Sequence, residues 1–205
     1  MEDISKYFTL TNASESLYKE KGSKFYGYAF PVFDEEEVKE KLEEIRKIHN
    51  TARHHCYGYR LGVGTEERYR ANDDGEPSNS AGKPIYGQLL STEITNALII
   101  VVRYFGGTKL GVGGLISAYK ISAKEAIDTG EIVQKEIMNY YKINFDYPEM
   151  SEVMNFVKHQ KLDVVSQVFE DSCEISFRIS LNKSPSIFTH FEEMEGVEIS
   201  FLKKK

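Results

Sequence analysis

The strongest chemical signal lies in one stretch, Arg103-Tyr104-Phe105-Gly106-Gly107-Thr108-Lys109-Leu110-Gly111. An apolar run from Leu98 to Phe105 enters a glycine-rich turn, and the turn opens a helical pattern from Leu115 to about Asp128. Backbone N–H groups at a helix start attract anions, and glycines let a phosphate come close. The charges agree. No acidic residue falls between Glu93 and Glu125, whereas Arg103, Lys109, Lys120 and Lys124 all do. Lys120 and Lys124, four apart, share one helix face. The expected site for phosphate or nucleic acid is therefore Arg103, Tyr104, Gly106, Gly107, Lys109, Gly111, Lys120 and Lys124. The competing reading has the glycines packing helix on sheet and the lysines solvated. A P-loop needs Lys and Ser or Thr straight after its last glycine, but Val112-Gly113 follow Gly111. The dinucleotide spacing G-x-G-x-x-G is also missing, so an ordinary ATPase or dehydrogenase is disfavoured.

A second group could hold a small ligand: His54, Cys56, Asp73, Asp74 and Glu76. Clustered carboxylates suit Mg²⁺, but Asp73-Asp74-Gly75-Glu76-Pro77 lacks the calcium-loop pattern and is also a plain turn sequence. In a strand His54 and Cys56 share a face and His55 points away. Cys56 with His54 as base would make a nucleophile. Zinc would need further ligands at chelating spacing, so no metal site and no cofactor are assigned. Tyr57, Tyr59, Tyr104 and Phe105 could stack on bases, or simply fill a core.

These residues need elements to hold them. Phe25 to Phe33 and His54 to Val63 read as strands, and Leu98 to Phe105 as a strand central in its sheet. Asp34 caps a helix, Glu37 completes a capping box, and Val38, Leu42, Ile45 and Ile48 form its buried stripe. Thr65 to Lys83 reads as a loop, and Pro84 to Ile94 as a short helix. The Tyr7 to Tyr18 region is mixed and gives no single element. From Tyr141 onward the pattern is clearer: strand, helix from Pro148, strand Leu162 to Phe169, strand Cys173 to Leu181, helix, and strand Val197 to Phe201. Ser184 is expected to cap that second helix, with Pro185 in its first position. The order β-α-β-β-α-β is ferredoxin-like, with one sheet face left open. The expected fold class is α+β, with domains at residues 1–136 and 137–205.

Composition sets outer limits. The chain has 205 residues, 40% hydrophobic, with a net charge of −6. That apolar fraction argues against disorder. The longest aliphatic run, Ala97 to Val102, is far short of the roughly 20 residues of a membrane span. The acidic start, MEDISKYF, lacks a secretory pattern. Two cysteines cannot make a disulfide scaffold, so a cytoplasmic location is expected and no membrane partner. The negative balance weighs mildly against nucleic acid, which the local positive stretch offsets.

The blocks Asp73-Asp74-Gly75-Glu76-Pro77, Ser80-Ala81-Gly82-Lys83-Pro84-Ile85 and Val102 to Gly111 closely resemble the signature of the IMPACT/YigZ family. His54-His55-Cys56-Tyr57 is similar to its His-rich strand. Residues from about Tyr18 to Gly130 look like the IMPACT N-terminal domain. The remainder resembles the small second domain of bacterial members, itself similar to the last domain of elongation factor G. The resemblance implies a ribosomal-protein-like, GHMP-kinase-like βα fold for the first domain, and a translation-linked role. Together with the acid-free basic stretch, it leads to the expectation of a non-enzymatic protein whose partners are RNA, the ribosome or a translation factor. The kinase-regulating role of eukaryotic relatives is not carried over, and the resemblance supplies no catalytic residues. The rival expectation is an enzyme or binder for a phosphorylated small molecule with Mg²⁺ at the glycine turn.

Overall fold

The computed structural model describes residues 5–204. The first four residues of the acidic start and the final lysine lie outside the described residues. The chain divides into two compact units, Tyr7–Lys135 and residues 136–204 together with residues 5 and 6.

In the first unit the most apolar segment, β6 (Ala97–Tyr104), is the middle strand of a five-stranded sheet. Its neighbours are β3 (Ser23–Pro31) and β4 (His54–Leu61), flanked by β2 (Ser14–Glu20) and β5 (Arg68–Asn72). Every adjacent pair is antiparallel. A strand apolar on both faces must be covered on both. Ile99 and Val101 join a core with Ile85 and Leu89 of α2 (Gly82–Ser91) and with Leu115, Tyr119 and Ala123 of α3 (Gly111–Asp128). Leu98, Ile100 and Val102 join another with Val38, Leu42 and Ile45 of α1 (Glu35–Ile48).

Asp34 caps α1 through Oδ1, which accepts the N–H groups of Glu36 and Glu37. Glu37 accepts from Phe33 N–H at 2.8 Å, one residue earlier than a capping box requires. Ile48 is exposed instead of buried. At ten residues past Val38 it lies about 80° away around the helix, off the stripe. The segment expected to be a loop contains β5, a five-residue edge strand exposed on both faces, with Arg68 and Arg70 on one and Tyr69 on the other. The mixed region near the start supplies β1 (Lys6–Leu10), paired with β7 (Ile132–Glu136), and β2.

The second unit is β8 (Met138–Phe145), α4 (Met150–His159), β9 (Asp163–Phe169), β10 (Cys173–Ser180), α5 (Ser184–Glu193) and β11 (Val197–Lys204). Its sheet order, β11-β8-β10-β9, with antiparallel neighbours is the ferredoxin-like pattern. Tyr141, Ile143, Ile175, Phe177, Val153, Val157, Ile187 and Phe191 fill the core. The other sheet face carries the ion pairs Lys142–Glu174 (3.0 Å) and Arg178–Asp163 (2.6 Å). Ser184 does not cap α5; Lys183 holds that position without a side-chain bond. The Ser184 hydroxyl is buried and bonds to Asn139 and Tyr141, so packing takes the group that local sequence offers to the helix end.

Candidate functional site

Register sets the row in which the site is built. Arg103, near the end of β6, stands opposite Phe25 of β3 and His54 of β4. Its guanidinium is buried against the Phe25 and Phe105 rings, 5.6 and 5.7 Å from their centroids. Arg103 Nη1 donates to Glu76 Oε1 at 2.7 Å, and Tyr119 Oη of α3 donates to the same oxygen at 2.8 Å. Cys56 Sγ lies 3.4 Å from Tyr119 Oη and 2.9 Å from Asp73 O. The result is a chain of polar groups linking β4, the acidic loop, β6 and α3. Burial pushes both the Cys56 thiol and the Tyr119 phenol well above their ordinary ranges. Cys56 is therefore a neutral thiol, which is a poor nucleophile.

The acidic loop is turned inward. Asp73 Oδ1 accepts from the N–H groups of Ala81 and Gly82 at the start of α2, and Oδ2 accepts from Asn79 N–H. Asp74 Oδ2 accepts from His55 N–H at 2.7 Å, and Arg46 lies 3.6 Å from Oδ1. His54 Nδ1 lies 2.9 Å from Asp74 O. The carboxylates of Asp73, Asp74 and Glu76 thus each serve a different group. Their arrangement is that of a loop fastened to its surroundings.

The glycine turn divides into packed and open halves. A Cβ added at Gly106 would lie 1.8 Å from the Gly22 carbonyl carbon, so close crossing of the β2–β3 turn requires glycine there. Gly107 (φ +87°) and Gly111 (φ +72°) have left-handed backbones, with nothing near their missing side chains. Phe105 through Lys109 is exposed. The helix starts at Gly111, earlier than its apolar pattern, and no side chain caps it. Val112, Ile116, Lys120 and Lys124 then follow at four-residue intervals, all exposed. Lys120 and Lys124 edge a groove of about 620 Å³ whose other wall is Pro84, Gln88, Ser91 and Thr92 of α2 and its end.

The four expected cations therefore do not act alike. Arg103 is committed to Glu76, and Lys124 lies 2.7 Å from Asp128 in an exposed pair. Lys109, Lys120 and Lys124 are exposed. Tyr104 belongs to a cluster that sequence patterning missed. His49, at the end of α1, holds Tyr28 Oη at 2.7 Å on Nε2 and Tyr104 Oη at 3.0 Å on Nδ1. Burial lowers the pKa of His49 and raises that of the Tyr28 phenol. The alternation of Tyr26, Tyr28 and Phe30 could have placed the tyrosines on one face, but not His49 beneath them. Tyr57 and Tyr59 are buried in the same α1-side core.

The pattern of the Impact N-terminal domain matches residues 21–127, which holds the whole of this polar chain and the glycine turn. The chain belongs to the IMPACT family. It is 34% identical over 158 residues to the IMPACT family member YvyE of Bacillus subtilis, spanning 77% of this chain and 72% of that one. An IMPACT family member of Haemophilus influenzae is 30% identical over 161 residues, 78% of each chain. A crystal structure titled only as that of a hypothetical protein superposes with a TM-score of 0.72 at 22% identity. It covers 97% of this chain and 98% of the other, so the two share a fold. Within the IMPACT domain, the matched segment ends where α3 ends, one residue short of Asp128. Among the described residues no helix is long and apolar enough to cross a membrane, which says nothing of a β-barrel.

Proposed function

We propose that this IMPACT-family chain works in translation by binding, taking RNA phosphates on the ribosome or beside a translation factor. The surface that supports this reading is the exposed glycine turn together with the outer face of α3. Lys109, Lys120 and Lys124 lie there in a stretch without an acidic residue from Ile94 to Lys124. The open glycines Gly107 and Gly111 let a phosphate approach backbone N–H groups at an uncapped helix start. Arg103, Tyr104 and Gly106 act indirectly, by fixing the end of β6 and the base of the turn. The buried thiol and the fastened carboxylates favour binding over catalysis. The test is RNA affinity measured across a salt series, for the natural chain and for Lys109→Glu with Lys120→Glu. Affinity that ignores both salt and charge reversal would sink the proposal.

A further inference from the structure

Away from this surface, the second unit contains a recess of about 480 Å³ lined by Asn139, Tyr141, Leu181, Ser184, Pro185, Phe188 and Phe201. Every lining residue is uncharged. The walls are largely aromatic. The Tyr141 ring lies 5.7 Å from that of Phe188 and 5.6 Å from that of Phe201, the latter edge-on. Polar groups are gathered beside them and deeply buried, with Asn139 8% and Ser184 3% exposed. Asn139 Nδ2 donates to Ser184 Oγ and Tyr141 Oη, which also bond to each other.

One acceptor is left over: Asn139 Oδ1 is shut off from solvent and meets no hydrogen-bond partner among the described residues. Its position is informative. Tyr141, Ile143 and Phe145 continue the same face of β8 and are core residues, so an apolar side chain would suit this end of the strand. A buried amide oxygen without a donor is costly and uncommon. The recess has the size of a small-molecule site, and such sites combine apolar walls with a few fixed polar groups. Phe201 forms the outer wall at 54% exposure, and the β11 register shifts just after it. A bulge of this kind re-aims neighbouring side chains.

We propose that this recess binds a neutral aromatic ring bearing one hydrogen-bond donor, with the ring among Tyr141, Phe188 and Phe201 and the donor on Asn139 Oδ1, which the Asn139 amide must turn toward the recess to offer. Such a ring could come from a free small molecule or from a tyrosine or tryptophan side chain. The absence of charge from the lining disfavours phosphates and carboxylates, so this site is chemically unlike the lysine face of α3. Its occupancy does not depend on the proposed RNA-binding reading.

The experiment is an amide-detected NMR titration of the full chain with phenol, indole and toluene. Phenol and indole are expected to shift the Asn139 side-chain signals and the backbone signals of Tyr141, Ser184 and Phe201, saturably. Toluene, which lacks the donor, should bind at least threefold more weakly. Asn139→Ala should abolish that preference while leaving toluene binding within twofold. Because Asn139→Ala could fail to fold, Phe201→Ala provides a second variant at an exposed position, and it should weaken all three probes. N-acetyl-tyrosinamide distinguishes the sources: binding tighter than phenol assigns the site to a protein side chain, and weaker binding to a free ligand. Equal affinity for phenol and toluene, or shifts centred elsewhere, would overturn the proposal.

Discussion

Arg103 Nη1 and Glu76 Oε1 meet at 2.7 Å with only 8% and 4% of their side chains exposed. A residue that reads from sequence as a phosphate ligand is thus half of a buried ion pair. Removing one partner strands the other charge, which typically costs 3–5 kcal/mol, about what a small domain can lose before unfolding. Glu76→Ala should destabilise the first unit by about 3–5 kcal/mol, more than Tyr119→Phe, which removes the hydrogen bond to Glu76 and the weak one from Cys56 and costs about 1–2 kcal/mol. The double change Glu76→Leu with Arg103→Met should be milder than Glu76→Ala alone. Urea unfolding of the three variants checks the order.

The two glycines of the turn should separate a packing requirement from a backbone requirement. At Gly106 an added methyl meets the Gly22 backbone at 1.8 Å, and no side chain can yield there. Gly106→Ala should cost about 3 kcal/mol or more. At Gly107 space is open but φ is +87°, so Gly107→Ala should cost only about 1–2 kcal/mol, from backbone strain. Thermal melts of both variants decide this. Equal losses would mean that the crossing with the β2–β3 turn is looser than described.

Two buried histidines, His49 at the end of α1 and His55 of β4, give a pH dependence with a definite sign. Burial holds His49 and His55 below the ordinary histidine value. For His55, Asp74 and a hydrogen bond to the His49 backbone oppose that shift, while the Arg46 charge adds to it. His49 also faces the phenols of Tyr28 and Tyr104 and the ring of Tyr26. The folded state thus binds protons less readily than the unfolded chain. Stability is full above an unfolded pKa of about 6.5 and falls as pH drops toward the lower folded values. The slope is at most about 1.4 kcal/mol per pH unit for each histidine. His49→Gln should flatten the profile between pH 7 and 5 in denaturant titrations.

Where periodicity was strong, the fold was legible. In the second unit β8 and β10 alternate cleanly between core and polar residues, while β9, exposed along its whole length, was legible from its β-branched residues, and the strand and helix order follows directly. Three kinds of feature were hidden. Strand β5 is only five residues long and exposed on both faces, so it offers no buried face to read. Ser184 sits in a good capping position, yet its hydroxyl is taken by Asn139 and Tyr141 across the chain. The charges of Arg103, Asp73 and Glu76 look like surface chemistry because the groups that absorb them are distant in sequence: Arg103 and Glu76 are 27 residues apart, and Glu76 and Tyr119 are 43 apart. Sequence can place an arginine near a glycine turn, but only register and loop closure show that it is already paired.

Both cysteines should behave as core residues. Cys56 and Cys173 are free and fully buried, and burial raises both thiols. A thiol reagent acts on exposed thiolate, so labelling must wait for an opening event. In native buffer each should react at least about a thousandfold more slowly than in urea, in line with typical unfolding equilibria. Mass-spectrometric mapping of the labelled position separates the two units. Rapid labelling of Cys56 in the folded chain would remove the polar chain described around Tyr119 and restore the nucleophile reading.

The lysine face makes the last prediction, and charge counting gives its size. If Lys109, Lys120 and Lys124 each neutralise one phosphate, the slope of log affinity against log salt should be about −2 for single-stranded RNA, at about −0.7 per contact. Lys109→Ala and Lys120→Ala should each reduce that slope by about 0.7 and weaken binding similarly across RNA sequences. Lys124→Ala should do less, because Asp128 already lies 2.7 Å from its ammonium. Asp128→Asn, which frees Lys124, should instead tighten binding. A steep slope unchanged by all four substitutions would put the RNA on another surface. Such a result would leave the glycine turn with its structural role alone, the crossing of β6 over the β2–β3 turn and the start of α3.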